Sequence, residues 1–184
     1  MPRRVYVIIY DPKTKTFILG VKAKTNLTAP KKTPFMAGFP QTLGGKVDQG
    51  TDDATLRNEI NEESGGLLTA PALDMSMLGL LCKFTDQSGD YLFYVLDRGQ
   101  VQGTCGANPK LTQPLPPKPD YAEYEMAFTV EIQLSLFTQQ DTAATVAAKL
   151  LKALGITDTT SAQYKDFMGS HTLQALAAFI QKYA

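Results

Sequence analysis

The chain has 184 residues, of which 43% are hydrophobic and 20% charged, and its formal net charge is zero. This length predicts one domain that buries roughly two-thirds of its unfolded surface. The balanced charge argues against a protein that coats nucleic acid, because such proteins normally carry a basic excess. The only cysteines, Cys82 and Cys105, have no metal-ligand spacing, so reduced thiols in a soluble cytoplasmic protein are expected.

The amino-terminal third alternates short apolar runs with polar turns, a pattern that predicts strands. The first run, Val5–Tyr10, is too short for a signal peptide or a membrane span. It is followed by a turn and by Phe17–Lys24, so the two runs are expected to form a hairpin. Proline-rich Asn26–Gln41 predicts a loop, and Thr42–Val47 predicts a short strand that bends at a glycine pair.

A helix is predicted over Ala54–Ser64, with Asp52 or Asp53 as its amino-terminal cap. Gly65-Gly66 should end it, because glycine readily adopts the left-handed conformation that closes helices. In the remaining chain, Met75–Thr85 and Tyr91–Arg98 are predicted to form a second hairpin, and Gly99–Asp120 a long loop. An alternating strand is predicted over Tyr121–Ile132, followed by two helices over Thr142–Leu154 and Ala162–Tyr183.

The order β-β-β-α-β-β-β-α-α predicts the α/β class, with a mixed sheet covered by helices. We find no internal repeat and no domain boundary in the sequence. A single domain over residues 1–184 is therefore expected, with the helices of residues 141–184 packed on it as an extension.

Three glutamates share one face of the predicted helix. Glu59, Glu62 and Glu63 fall at i, i+3 and i+4, and like charges at this spacing destabilise a bare helix by roughly a few tenths of a kcal/mol per pair. Such a cluster is best explained by a bound cation, and oxygen ligands suit Mg²⁺ or Mn²⁺. The cation would bind a diphosphate and lower the pKa of a bound water, with a nearby glutamate as general base.

Residues 44–66 resemble the Nudix box, G-x5-E-x7-R-E-U-x-E-E-x-G-U, in which U is aliphatic. The second half of the box is in register at Glu59, Ile60, Glu62, Glu63 and Gly65. The resemblance implies the Nudix α/β/α sandwich and Mg²⁺-dependent hydrolysis of a pyrophosphate bond in a nucleoside diphosphate linked to another moiety. The matching glutamates Glu59, Glu62 and Glu63 would hold the metal, and one of them would activate water.

The box departs from the family pattern at two positions. Its arginine position holds Asn58, and its first glutamate position holds Thr51 or, counted back from the helix, Gly50. Arg57 does not replace the arginine, because it lies about 160° from Glu59 around the helix. These departures favour an alternative function, a Nudix-fold module that binds a nucleotide or regulates without catalysis. A third interpretation, an unrelated α/β protein with an accidental motif, predicts that the glutamates face bulk solvent.

Residues outside the glutamate helix complete the predicted site. Gly44 and Gly45 would let the backbone approach the substrate, and Lys22 and Lys24 would bind its phosphates, with solvated lysines as the alternative. Family enzymes often take a further glutamate from beyond the box, and we assign Glu123 as that metal ligand.

Several alternatives stay open at this stage. Glu125 is the alternative to Glu123, and a plain surface strand explains both. Asp48 fits a turn as well as a site, and the lone histidine, His171, is given no catalytic role. The expected partner is a small nucleotide-type substrate rather than nucleic acid or a membrane. A homodimer is left open, since many relatives pair.

Overall fold

A computed structural model of the chain describes residues 1–24, 33, 35–48, 50–113 and 125–184. The strands in these ranges are β1 Arg3–Asp11, β2 Thr16–Lys22, β3 Pro40–Gln41, β4 Leu43–Lys46, β5 Leu68–Thr69, β6 Leu78–Asp86, β7 Gly89–Asp97, β8 Gln102–Gly103 and β9 Met126–Gln133. The α-helices are α1 Asp52–Glu63, α2 Ala143–Ala153, α3 Ala162–Met168 and α4 His171–Tyr183. The two-residue strands β3 and β8 lie within segments predicted as loops.

Strand β1 organises a seven-stranded mixed sheet. It pairs in parallel with β7 from Arg3 to Tyr10. On its other side the partner changes, because Arg4–Val7 pair with β4 while Ile9–Asp11 pair with β2. Strands β4 and β2 therefore lie along the same edge of β1, each paired with a different part of it.

Helices cover both faces of this sheet, because successive side chains of a strand point to opposite sides. Val5, Val7 and Ile9 pack in one cluster with the apolar side chains of α1. Ile8 packs in a second cluster with side chains of α2 and α4. The protein is thus an α/β/α sandwich, and the predicted α/β class with a mixed, helix-covered sheet is confirmed.

Helix α1 begins earlier than predicted and without an aspartate cap. Thr51 occupies the cap position and makes no side-chain cap bond, so the prediction that Asp52 or Asp53 caps the helix is wrong. Asp52 lies in the first turn, buried, where it pairs with Arg3 and accepts a 2.5 Å hydrogen bond from the Tyr94 hydroxyl. The predicted helix end is confirmed, because α1 stops at Glu63 and the glycine pair that follows has positive φ.

The predicted helix Ala162–Tyr183 is two helices, α3 and α4. The break comes at Gly169-Ser170, where the Ser170 hydroxyl accepts the Leu173 N–H at 3.1 Å and caps α4. His171 is consequently the first residue of α4 rather than part of a helix interior. Within the described ranges, no helix is long and apolar enough to cross a bilayer.

Strand β9 contains a bulge that the alternating pattern of Tyr121–Ile132 did not predict. Its pairing with β2 skips Ala127, which is one extra residue on that strand. Met126, before the bulge, packs on the α1 side, whereas Ile132, after it, packs on the other side. A bulge re-aims neighbouring side chains in this way. Residues 121–124 of the predicted strand lie outside the described residues.

Candidate active site

A cavity of about 380 Å³ lies where β1 changes partner from β2 to β4. Its lining comes from β1, β2, β3, β4, β6, β7 and the start of α4, together with a few loop residues. This volume is in the range of small-molecule sites. Two sides of the cavity have different chemistry, and each is built from residues that are distant in sequence.

The first side is formed by Glu125 and the Gly44-Gly45 backbone. Glu59 and Glu63 of α1 are not on the lining but pack against these two glycines. We call Glu59, Glu63 and Glu125 together the carboxylate wall. Glu63 is only 1% exposed, and its Oε2 accepts the Gly44 N–H at 2.7 Å. Glu59 lies directly against Gly45, where an added Cβ would overlap Glu59 Oε1. Glycine at position 45 therefore allows the helix carboxylate to reach the strand, as the sequence predicts for the glycine pair.

Negative charge is concentrated at this wall. Burial raises the pKa of Glu63 well above its ordinary value, and the charges of Glu125 and Glu59 raise it further, while the Lys22 ammonium acts in the opposite direction. Burial also raises the pKa of the Tyr6 hydroxyl, and the charge of Glu63 adds to this effect. A buried Glu63 does not agree with an accidental motif whose glutamates face bulk solvent. The wall instead favours a cation.

Lys22 and Glu125 form a buried ion pair on the cavity lining. Lys22 is 6% exposed, so the predicted role as a solvated lysine does not hold. The bulge at Ala127 explains the direction of Glu125, because it turns the residues before it relative to those after it. Glu123, the assigned metal ligand, lies outside the described residues. Its alternative, Glu125, does line the cavity.

The other predicted residues lie outside this lining. Lys24 lines a second cavity, of about 550 Å³, between β2 and the segment after α2. Asp48 is exposed and pairs with Lys46. Glu62 is half-buried on α1 beside Glu63. The structure thus brings Lys22 and the glycine pair together on the cavity lining, with Glu59 and Glu63 packed against the glycines, but places Lys24 elsewhere.

At the two positions that depart from the box, the side chains of Asn58 and Thr51 are exposed to solvent. Arg57 donates to the Leu73 carbonyl at 3.0 Å and lies 3.7 Å from the Asp53 carboxylate. Its guanidinium is therefore engaged away from Glu59, as the helical spacing predicts.

The second side of the cavity is the aromatic wall, which we define as Arg4, Tyr6, Tyr91, Phe93 and His171. The Arg4 guanidinium lies 5.2 Å from the centre of the Tyr91 ring, and Tyr6 stacks on Phe93 at 5.0 Å. Both contacts follow from strand register, since Arg4 pairs with Tyr91 and Tyr6 with Phe93 across β1 and β7. The His171 ring is 4.5 Å from the Tyr91 ring.

His171 joins α4 to the hairpin of β6 and β7. Its Nε2 lies 3.0 Å from Asp86 Oδ2, and its ring stacks on Phe84 at 5.0 Å. Sequence reasoning did not place this histidine at the cavity. Ser170 is a cap-forming residue that could have located the start of α4, but no local signal shows that this start meets a hairpin 85 residues away.

The donors of the carboxylate wall are oxygen atoms, which suit Mg²⁺ or Mn²⁺ in kind. The buried Glu63 carboxyl, whose charged form is disfavoured, also fits a divalent cation as the compensating charge. Within the described part of the chain, however, no group of three or more histidine, cysteine, aspartate or glutamate side chains is arranged to hold a metal ion. The donor atoms are therefore of the kind that the ion prefers, while the described side chains do not surround a single point as a complete set of metal ligands would.

No family model matches the chain, and no curated protein matches it. The chain is similar to a MutT Nudix hydrolase from Burkholderia pseudomallei, with 19% identity, a TM-score of 0.45, and coverage of 80% of this chain and 95% of that one. It is also similar to a MutT structure from a study of the Aliivibrio salmonicida and Vibrio cholerae proteins, with 12% identity, a TM-score of 0.43, and coverage of 92% and 97%.

A third similar structure is a MutT protein from Methanosarcina mazei Go1, with 19% identity, a TM-score of 0.41, and coverage of 91% of this chain and 89% of that one. All three carry the MutT name, and the first is called a Nudix hydrolase, the family that the box resembles.

Proposed function

We propose that the protein hydrolyses a pyrophosphate bond in a nucleoside diphosphate linked to another moiety, with Mg²⁺ or Mn²⁺ held by the box glutamates. The observation that supports this most is the packing of Glu59 and Glu63 against the Gly44-Gly45 backbone, which lines the cavity together with Glu125. Burial and the charges of Glu125 and Glu59 disfavour the charged form of Glu63, and a cation that also binds a diphosphate would compensate it.

In the proposed reaction, Glu62 and Glu63 are ligands of the metal, and Glu59 is a further ligand or the general base. The ion, when bound, would neutralise the diphosphate and lower the pKa of a bound water. The Gly44 N–H holds Glu63 in place, and Lys22 holds Glu125. A glutamate that is not a ligand would accept the proton of the attacking water. Glu123 stays a predicted ligand.

The test is a turnover assay on nucleotide sugars, dinucleotides and nucleoside triphosphates, with Mg²⁺, with Mn²⁺ and with a chelator. Release of a monophosphate or of pyrophosphate should require the ion. The double variant Glu62→Gln/Glu63→Gln should lower turnover by about 100-fold or more, because it removes the ligand charge. Glu131→Gln is the matched control, since Glu131 lies 3.8 Å from Arg98 and is not on the cavity lining. Undiminished turnover in the double variant would sink the proposal.

A nucleotide-binding or regulatory module without catalysis is the second candidate. It is favoured by the buried Lys22 ammonium, which already supplies a positive charge to Glu125, and by the exposed Asn58 at the arginine position. This candidate predicts that a nucleotide raises the melting temperature while no ion-dependent turnover appears across the same panel. Turnover that depends on Mg²⁺ and on the α1 glutamates excludes it.

A further inference from the structure

Most charged side chains on the cavity lining contact a partner side chain within the protein. Lys22 pairs with Glu125 at the carboxylate wall. On the opposite side, Asp86 is engaged by His171 at 3.0 Å. Lys46 pairs with Asp48 at the edge of the cavity. Arg4 is the charged lining residue for which the described residues provide no carboxylate.

The Arg4 guanidinium keeps most of its hydrogen-bonding capacity. Its NH1 donates to the Ser88 carbonyl at 3.0 Å, and this acceptor is neutral. A guanidinium has five N–H donors and no acceptor, so donors remain for a partner inside the cavity. A positive charge with unused donors in a half-enclosed site favours an anionic ligand group.

The aromatic wall also restrains this guanidinium. Arg4 lies over the Tyr91 ring, with the guanidinium carbon 5.2 Å from the ring centre. Tyr91 is in turn in contact with His171, whose ring stacks on Phe84. A guanidinium held against a ring loses less conformational freedom on binding than a mobile side chain.

We propose that Arg4 binds a second anionic group of the substrate, a phosphate monoester carried beyond the diphosphate. This inference rests on the proposed function, which puts the diphosphate at the carboxylate wall. Arg4, Glu125 and the Gly44-Gly45 backbone line the same cavity, so one ligand would reach Arg4 as well as the carboxylate wall. Phosphate oxygens match the geometry of a guanidinium fork, and the pair forms two parallel hydrogen bonds. A substrate that lacks this group leaves the Arg4 charge uncompensated.

The test uses pairs of compounds that differ by one phosphate monoester, namely NADPH and NADH, coenzyme A and dephospho-coenzyme A, and ADP-ribose 2′-phosphate and ADP-ribose. Dissociation constants are measured by calorimetry with Mg²⁺ present, and turnover of each compound is measured in parallel. The phosphorylated member of at least one pair should bind about 10-fold tighter, in line with a hydrogen bond between charged groups. Higher ionic strength should weaken the preference.

Variants of Arg4 decide whether this side chain is the cause. Arg4→Gln should bring the ratio of the two dissociation constants close to one, and Arg4→Lys should keep part of it, because lysine retains the charge without the planar fork. Lys83→Gln is the matched control, since Lys83 is half-exposed, pairs with Asp90 and does not line the cavity. It should keep the full preference, and a melting curve for each variant checks folding.

The outcomes separate this inference from the proposed function. Equal affinity for both members of every pair, or a preference that survives Arg4→Gln, overturns the role of Arg4 even where turnover is found. A preference that depends on Arg4 without turnover of any compound supports that role and overturns the hydrolase. Absence of binding by all six compounds overturns the role of Arg4.

Discussion

The carboxylate wall and the aromatic wall face the same cavity but are built in opposite ways. In the carboxylate wall Glu63 is 1% exposed, and burial and the charges of Glu125 and Glu59 disfavour its charged form. In the aromatic wall the His171 side chain is 24% exposed, and the groups are paired or stacked. The disfavoured charge of Glu63 indicates a site that requires a positive charge. The stacked side chains of the aromatic wall indicate a surface that is already arranged to bind a ligand.

Changes at the two walls should therefore affect different quantities. Removing a carboxylate contact should lower the rate of the chemical step, because in the proposed reaction the carboxylates act on the cation and the attacking water. Removing an aromatic contact should weaken binding and leave the rate at saturation nearly unchanged. Any variant that exchanges these effects would break the division between the walls.

Among single substitutions at the two walls, Gly45→Ala should produce the largest effect. The new Cβ would overlap Glu59 Oε1 and displace that carboxylate, while the backbone at Gly45 tolerates alanine because its φ is not positive. We expect kcat to fall by about 10- to 100-fold and KM to change little, as measured with the substrate found in the turnover panel.

Gly155→Ala is the matched glycine control for this experiment. Gly155 has a φ of +66°, and a Cβ there would meet no atom within 4 Å. Alanine at this position should cost about 1 kcal/mol of stability through backbone strain, with kcat unchanged. A Gly45→Ala protein with wild-type kcat would contradict the contact between strand and Glu59 as a requirement for catalysis.

Glu63→Gln should stabilise the metal-free protein at neutral pH. The folded-state pKa of Glu63 is raised, by burial first and then by Glu125 and Glu59, so the folded state binds this proton more tightly than the unfolded state. Wild-type stability therefore falls as pH rises from about 4.5 toward the folded-state pKa. Glutamine keeps an oxygen that can accept the Gly44 N–H and removes the titration.

Urea unfolding of both proteins between pH 4 and pH 8, in the presence of a chelator, measures this difference. The advantage of Glu63→Gln should be smallest at the acid end and grow with pH. An advantage that is constant across this range would show that Glu63 is not a strained buried carboxylate. Glu131→Gln, outside the cavity, should show no such growth.

His171→Ala should have a smaller effect, and on binding rather than on rate. Loss of the ring removes the stack on Phe84 and the contact with Tyr91, which loosens the support under Arg4. We expect KM to rise about 3- to 10-fold with kcat within about twofold of wild type. His171→Phe restores the ring without the Asp86 contact and should recover most of the loss. A fall in kcat as large as that of Gly45→Ala would contradict the division between the walls.

The carboxylate wall could be predicted in large part, because its signal is local. Glu59 and Glu63 are four residues apart on one helix, and Gly44-Gly45 precedes that helix in the same short stretch. Periodicity likewise predicted the main strands and the α/β class. Helix geometry alone places these carboxylates on one side, so no knowledge of the tertiary structure is needed.

The aromatic wall and the position of Glu125 could not be predicted, because they depend on pairing between distant segments. The bulge at Ala127 exists only in the register of β9 with β2, and Glu125 meets Lys22 across 103 residues. The helix that carries His171 begins at a break that apolar periodicity spans without interruption. Long-range register and helix docking decide both features, and neither leaves a local pattern.

Asp86→Asn should give the smallest effect, one confined to acid pH. Hydrogen bonds from Ser88, and next from His171, hold the pKa of the Asp86 carboxyl at about 2, below its ordinary 3.8. Because the folded-state pKa is lowered, the group contributes stability above pH 3.8 that is lost as pH falls toward 2. The difference in unfolding free energy between wild type and Asp86→Asn should therefore shrink across this window.

Urea unfolding at several pH values between 5 and 2 measures that difference, and added salt should reduce it, since Asp86 is exposed. Combining Asp86→Asn with His171→Phe isolates the part carried by the histidine, because the two side chains are in contact and their effects should not add. Strict additivity at pH 5 would mean that Ser88 alone holds the aspartate. The aromatic wall would then be tied to the hairpin by ring stacking, without a contribution from the ion pair.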